Sequence, residues 1–91
     1  MKYRLVFTAS YTRRAARFLR KHQELERSYR KTLGLIEINP THPSLRLHKL
    51  KGPFDGLYSV SINISYRITI EFLIDSNTIL PVDVGTHDRV Y

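Results

Sequence analysis

The chain has no cysteine. That removes disulfides, thiolate metal sites and a cysteine nucleophile, and it fits a reducing compartment. A long apolar run is lacking as well. In the opening MKYRLVFTAS only six residues separate Arg4 from Tyr11, and a cluster of arginines follows. This is too short and too charged for the core of a signal peptide, and nothing elsewhere approaches a membrane span. Repeats, linkers and low-complexity segments are missing. So are metal-ligand spacings such as His-x-x-His or His-Glu-x-x-His. The expectation is one domain over residues 1–91, cytoplasmic, with no metal, no cofactor and no membrane partner.

Acidic residues are scarce and unevenly placed. From Met1 to Lys51 there are 13 Lys/Arg against 3 Asp/Glu, and from Gly52 to Tyr91 there are 2 against 5. A half of charge +10 joined to a half of −3 (the net +7) points to a polyanionic partner, nucleic acid or an acidic protein. The bland alternative is a solvated helix face that keeps a small protein soluble.

Periodicity supplies the elements. YRLVFT (Tyr3–Thr8) alternates Tyr3, Leu5 and Phe7 inward with Arg4 and Val6 outward, which predicts a strand. SYTRRAARFLRKH follows, with Ser10 as its N-cap. There Tyr11, Ala15, Phe18, Leu19 and His22 recur at helical spacing, and arginines and a lysine fill the other faces. A second helix is predicted from near Gln23, stacking Leu25, Tyr29, Leu33 and Ile36 and ending at Asn39–Pro40. Gly34 weakens it by about 1 kcal/mol relative to alanine.

Beyond that, LRLHKL reads as a short strand with Leu45 and Leu47 facing one way, and KGPFDG as a turn. LYSVSINI puts Tyr58, Val60, Ile62 and Ile64 opposite Ser59, Ser61 and Asn63. YRITIEFLI puts Tyr66, Ile68, Ile70 and Phe72 opposite Arg67, Thr69 and Glu71. DSNT is a hairpin turn. Pro81 in ILPVDV implies an edge strand or a bulge. The fold expected is α+β: an N-terminal strand, two antiparallel helices, then a mainly antiparallel sheet. The helices would cover one sheet face, leaving the face with Ser59, Ser61, Arg67 and Glu71 open as a docking surface.

Of the four histidines, His22 completes a helical stripe and His42 sits in a loop before Pro43. His48 and His87 lie at predicted strand ends in basic or turn-rich segments. Together with Arg67 they suit RNA cleavage by the ribose 2′-hydroxyl. That reaction needs a base for the 2′ proton, an acid for the departing 5′ oxygen and a cation for the charge on the phosphoryl oxygens. Imidazole serves as either acid or base near neutral pH, and arginine binds phosphate through two parallel hydrogen bonds. Spacing alone does not bring these residues together.

LRLHKLKGPFDGLYSV, SYRITIEF and the closing VGTHDRVY, in the order strand–helix–helix–strands, resemble the RelE/ParE superfamily of bacterial toxins from toxin–antitoxin pairs. The histidine pattern is most similar to its YafQ branch of mRNA interferases. The resemblance implies a ribosome-dependent endoribonuclease that cuts messenger RNA and leaves a 2′,3′-cyclic phosphate. It also implies a cognate antitoxin, with the chain a monomer or an antitoxin-bound hetero-oligomer. His48 and His87 match functional histidines of that branch, Tyr91 its terminal aromatic, and Arg67 the phosphate-stabilising arginine of RelE proper. Arg13, Arg14, Arg17, Lys49 and Lys51 would grip messenger or ribosomal RNA. Where YafQ carries a further histidine and an aspartate on its strand pair, this chain has Ser61 and Ser65. The rival readings are a ParE-like, non-enzymatic gyrase inhibitor and a basic nucleic-acid or protein binding module.

Overall fold

Apolar and polar residues alternate most regularly between Tyr58 and Val84, and this region forms the centre of the sheet. The computed structural model describes residues 3–86. The strands are β1 (Arg4–Leu5), β2 (His48–Lys49), β3 (Tyr58–Ser61), β4 (Tyr66–Leu73) and β5 (Thr78–Thr86), in the sheet order β1-β5-β4-β3-β2. All neighbours are antiparallel except β1 and β5. Two helices, α1 (Ala9–Lys21) and α2 (Glu26–Ile38), lie between β1 and β2 in the chain.

The period-2 pattern of β4 is read correctly, and its even-numbered face builds the core. Val60, Ile68, Ile70, Ile79 and Val84 join Tyr11, Ala15, Tyr29 and Ile36 from the helices in one buried cluster. A fully buried isoleucine contributes about 1.5–3 kcal/mol relative to an exposed one. At the centre of the helical layer the hydroxyls of Tyr11 and Tyr29 hydrogen-bond at 2.8 Å. Each phenol therefore satisfies the other where water is excluded.

Several expectations are corrected. Thr8, not Ser10, caps α1: it is extended, and its Oγ1 accepts from the Tyr11 N–H at 3.0 Å. The first strand stops at Leu5, and Phe7 is 45% exposed because the chain turns into that cap. The second helix begins at Glu26, after a separate 3-10 turn over Gln23–Leu25. In LRLHKL only His48 and Lys49 pair as strand. Ile64, expected inward, is 92% exposed. β3 ends before it because the Asn63 side chain accepts from the N–H groups of Ser65 and Tyr66 (2.8 and 2.9 Å) and closes a tight turn.

Pro81 sits at a bulge, as one of its two readings required: Thr69 pairs with Asp83 and Ile70 with Pro81, leaving Val82 extra. The strand is not an edge, however, since β5 lies between β1 and β4. Proline is tolerated because the β1 ladder ends at Ile79, so no N–H is required from residue 81 on that side. The extra carbonyl, of Val82, accepts from Arg14 Nη2 of α1 at 2.7 Å.

The polar face is the largest correction. Ser59, Ser61, Arg67 and Thr69 are all buried, so it is not an open docking surface. Among the described residues no helix is long and apolar enough to cross a membrane.

Two outcomes follow from these packing details. Nothing lies within 4 Å of a Cβ built on Gly34, which is exposed in α2. Gly34→Ala therefore adds about 1 kcal/mol, raising the thermal midpoint by about 4–8 °C; an unchanged or lower midpoint would contradict this. Burial pushes both the Tyr11 and Tyr29 phenols above the ordinary tyrosine value, and for Tyr11 the neighbouring Tyr29 adds to it. A raised folded value means the neutral pair's stabilisation is complete below about pH 10 and declines as pH climbs past it. Urea midpoints of wild type should thus fall more steeply between pH 9 and pH 11 than those of Tyr11→Phe, with these pH values set by that ordinary value of about 10.

Candidate functional site

The sheet pairing assembles the polar cluster. Across β3 and β4, Ser61 faces Arg67 and Ser59 faces Thr69. Across β2 and β3, His48 faces Ser59. Arg67 is therefore a diagonal neighbour of Ser59, and His48 is in the next row. A long guanidinium side chain spans such diagonals, a few ångströms apart on one pleated face.

Arg67 uses that reach fully. Its Nε donates to the Ser59 hydroxyl, and its Nη2 donates to the Arg46 carbonyl at 3.1 Å. Nη2 also approaches His48 Nδ1 at 3.2 Å. The group is only 7% exposed, yet among the described residues no carboxylate pairs with it. Its acceptors are all neutral. Burial, reinforced by the nearby Arg46 charge, lowers its pKa from the ordinary arginine value. The result is a desolvated cation held by neutral acceptors, an arrangement that costs energy until an anion arrives.

Arg46 offers its carbonyl because its backbone is left-handed, with φ +48°. A side-chain-bearing residue in that region costs energy and persists where its surroundings over-determine it. Here it closes the 3-10 turn over Pro43–Leu45, where His42 Nδ1 caps by accepting from the Ser44 N–H at 3.1 Å.

The guanidinium also sets the histidine tautomer. It has donors only, so the 3.2 Å contact engages a lone pair on His48 Nδ1. A neutral ring then carries its proton on Nε2, on the side away from Arg67. The 3.4 Å approach of Nδ1 to the Arg46 carbonyl is the longer of the two contacts, and that carbonyl already accepts from Arg67.

Of the sequence-predicted site residues, His48 and Arg67 are thus brought together. His87 and Tyr91 lie outside the described residues; β5 is described through Thr86, with Gly85 opposite Arg67. Lys49 and Lys51 are exposed in and just after β2. Arg13, Arg14 and Arg17 are exposed on α1. Arg14, however, is committed to the Val82 carbonyl and to Asp83, whose Oδ1 is 3.7 Å from its Nε. Ser61 donates to the Asn63 carbonyl at 2.6 Å, which ties it to the turn. Sequence reasoning missed Ser59 and Arg46 as anchors. The alternation already placed Ser59 on the face of Arg67; no local signal marks the Arg46 carbonyl. Among the described residues no group of three His, Cys, Asp or Glu side chains could hold a metal.

No protein-family model matches the sequence, and no curated protein matches it. Solved structures match it in fold. YafQ from E. coli strain BL21(DE3) superposes with a TM-score of 0.78 at 12% identity, covering 99% of both chains. A chain of the E. coli DinJ–YafQ toxin–antitoxin complex gives 0.76 at 14% identity, over 100% of this chain and 99% of that one. One from the YoeB–YefM complex of Staphylococcus aureus gives 0.71 at 20% identity, over 96% of this chain and 99% of that one. The fold is that of the RelE-superfamily toxins, YafQ included.

Ser59 holds the buried end of this cluster, and removing its hydroxyl leaves the Arg67 Nε–H without that acceptor. Ser59→Ala is expected to cost about 1.5–3 kcal/mol, the range for hydrogen bonds to charged groups, read as a lowered urea midpoint. A midpoint equal to wild type would mean the clamp contributes nothing.

Proposed function

We propose that this chain, having the fold of RelE-superfamily toxins, is the toxin of a toxin–antitoxin pair and a ribosome-dependent endoribonuclease. The observation that carries the reading is a nearly buried guanidinium with no carboxylate partner among the described residues, 3.2 Å from an imidazole. A phosphodiester supplies the countercharge that Arg67 lacks, and it places the scissile phosphorus beside a proton-transfer group.

In this mechanism the 2′-hydroxyl is the nucleophile. Its proton passes to one imidazole, the 2′ oxygen bonds to phosphorus, and the bond from phosphorus to the 5′ oxygen breaks. The other imidazole returns a proton to that 5′ oxygen, leaving a 2′,3′-cyclic phosphate. His48 and His87 share these roles. Nε2 is the nitrogen through which His48 meets substrate, because Nδ1 is engaged with Arg67. Arg67 stabilises the negative charge that builds on the phosphoryl oxygens, and Tyr91 positions the substrate.

Lys49 and Lys51, beside His48, contact the RNA backbone, as do Arg13, Arg14 and Arg17 on α1. Arg14 does so with part of its donor set already spent on β5. No metal takes part, since the nucleophile belongs to the substrate and both proton carriers are side chains. The cognate antitoxin neutralises the basic surface, and the site of action is the cytoplasm, where translating ribosomes are.

The test is induction of wild type beside His48→Ala, His87→Ala, Arg67→Ala and Arg67→Lys, with growth and the 5′ ends of a translated reporter messenger followed together. Each histidine variant should lose about 10²–10⁴-fold in cleavage and relieve growth arrest. Arg67→Lys keeps the charge but not the fork, and should be impaired while remaining folded. Arrest as severe as wild type in all four, or arrest with intact messengers and inhibited gyrase, would refute the ribonuclease.

A further inference from the structure

Neither the core nor the His48–Arg67 cluster accounts for a cleft between α1 and the end of β5. It encloses about 320 Å³, at the lower end of the roughly 300–1,000 Å³ typical of small-ligand sites. Arg17 and Lys21 stand on its rim, four residues apart on α1 and so on one face of the helix. Both are exposed, and among the described residues neither forms an ion pair. Arg14 lines the cleft too, but its charge is opposed there by Asp83 at 3.7 Å.

The inner wall is aromatic. Phe18 and His22 from α1 meet Tyr66, the first residue of β4, with ring centroids 4.6 Å (Phe18–His22), 4.9 Å (His22–Tyr66) and 5.5 Å (Phe18–Tyr66) apart. All three are half-buried, so each shows part of its ring to solvent. Tyr66 adjoins Arg67 in β4, and their β5 partners are Thr86 and Gly85, both of which line the cleft. The cleft therefore lies one residue along the ladder from the buried guanidinium.

Two unpaired cations beside a wall of rings match the two halves of a nucleotide: phosphate for the guanidinium and ammonium, a base for the rings. An acidic peptide would engage the cations and leave the rings without a function, so the geometry favours the nucleotide. We propose that this cleft seats one nucleotide of single-stranded RNA flanking the scissile linkage, its phosphate on Arg17 and Lys21 and its base against His22 and Tyr66. The inference rests on the ribonuclease reading and adds a subsite to it.

A fully 2′-O-methylated hexanucleotide, whose blocked 2′ oxygens prevent cleavage, serves as the probe. It is titrated into the protein while the ring resonances of Phe18, His22 and Tyr66 are followed by NMR and affinity is measured across a salt series. The rings should shift saturably. The Arg17→Gln/Lys21→Gln double variant should bind more weakly and flatten the plot of log affinity against log salt by about 1.4, at roughly 0.7 per lost phosphate contact. His22→Ala should lower affinity about tenfold without changing the slope, since a base–ring contact releases no counterion. Matching thermal midpoints would show that the variants are folded.

Binding that leaves all three rings unshifted, or variants that bind like wild type, would overturn the subsite while the ribonuclease reading stands on His48 and Arg67. A polyglutamate peptide that shifts the rings at lower concentration than the RNA would make the cleft a protein-docking site instead. Failure of the probe to bind anywhere would remove both proposals.

Discussion

A charged guanidinium buried in a five-stranded sheet constrains everything around it. Taking such a group out of water costs several kcal/mol unless its donors find acceptors. Here those acceptors come from three places in the chain: the Ser59 hydroxyl on β3, the Arg46 carbonyl just before β2, and the His48 ring on β2. The demand for that carbonyl accounts for the left-handed Arg46, which in turn delivers the chain into β2. The contact to His48 Nδ1 leaves one defined nitrogen facing outward. Strand order, turn conformation and histidine tautomer thus depend on the same side chain.

The opposite face of the sheet answers to a different constraint, the absence of water. Isoleucines and valines of β3, β4 and β5 pack against α1 and α2, and the two phenols in that layer hydrogen-bond to each other. The bulge at Val82 joins the two halves of the molecule. It brings a carbonyl to Arg14, anchoring α1 to β5, and the rest of the same helix projects its cations outward. One face of α1 therefore stabilises the fold, and the next carries the charge that a polyanion would meet.

The sequence and the structure diverge where a residue's type misstates its environment. Alternation in YRITIEF located β4 because side-chain direction in a strand is a local property of the backbone. The stripe from Tyr11 to His22 located α1 for the same reason, and Pro81 announced the bulge through its missing N–H. Ser59, Thr69 and Arg67 read as an open polar face, because polar residues are ordinarily exposed. They are buried because their partners are one another and the backbone. Ile64 read as core and is exposed, since the Asn63 side chain ends the strand ahead of it.

From its sequence alone the protein was determined as an α+β chain with a basic first half and with histidines and an arginine suited to phosphoryl chemistry. Those features are carried by composition and by short periods along the chain. Only tertiary structure decided that Arg67 and His48 lie 3.2 Å apart, that Arg46 lends a carbonyl to them, and that His22 and Tyr66 wall a cleft with Arg17 and Lys21. Contacts between residues 19 to 44 positions apart leave no local periodic trace, because the free energy that selects them is spent on closing the chain and satisfying buried groups together.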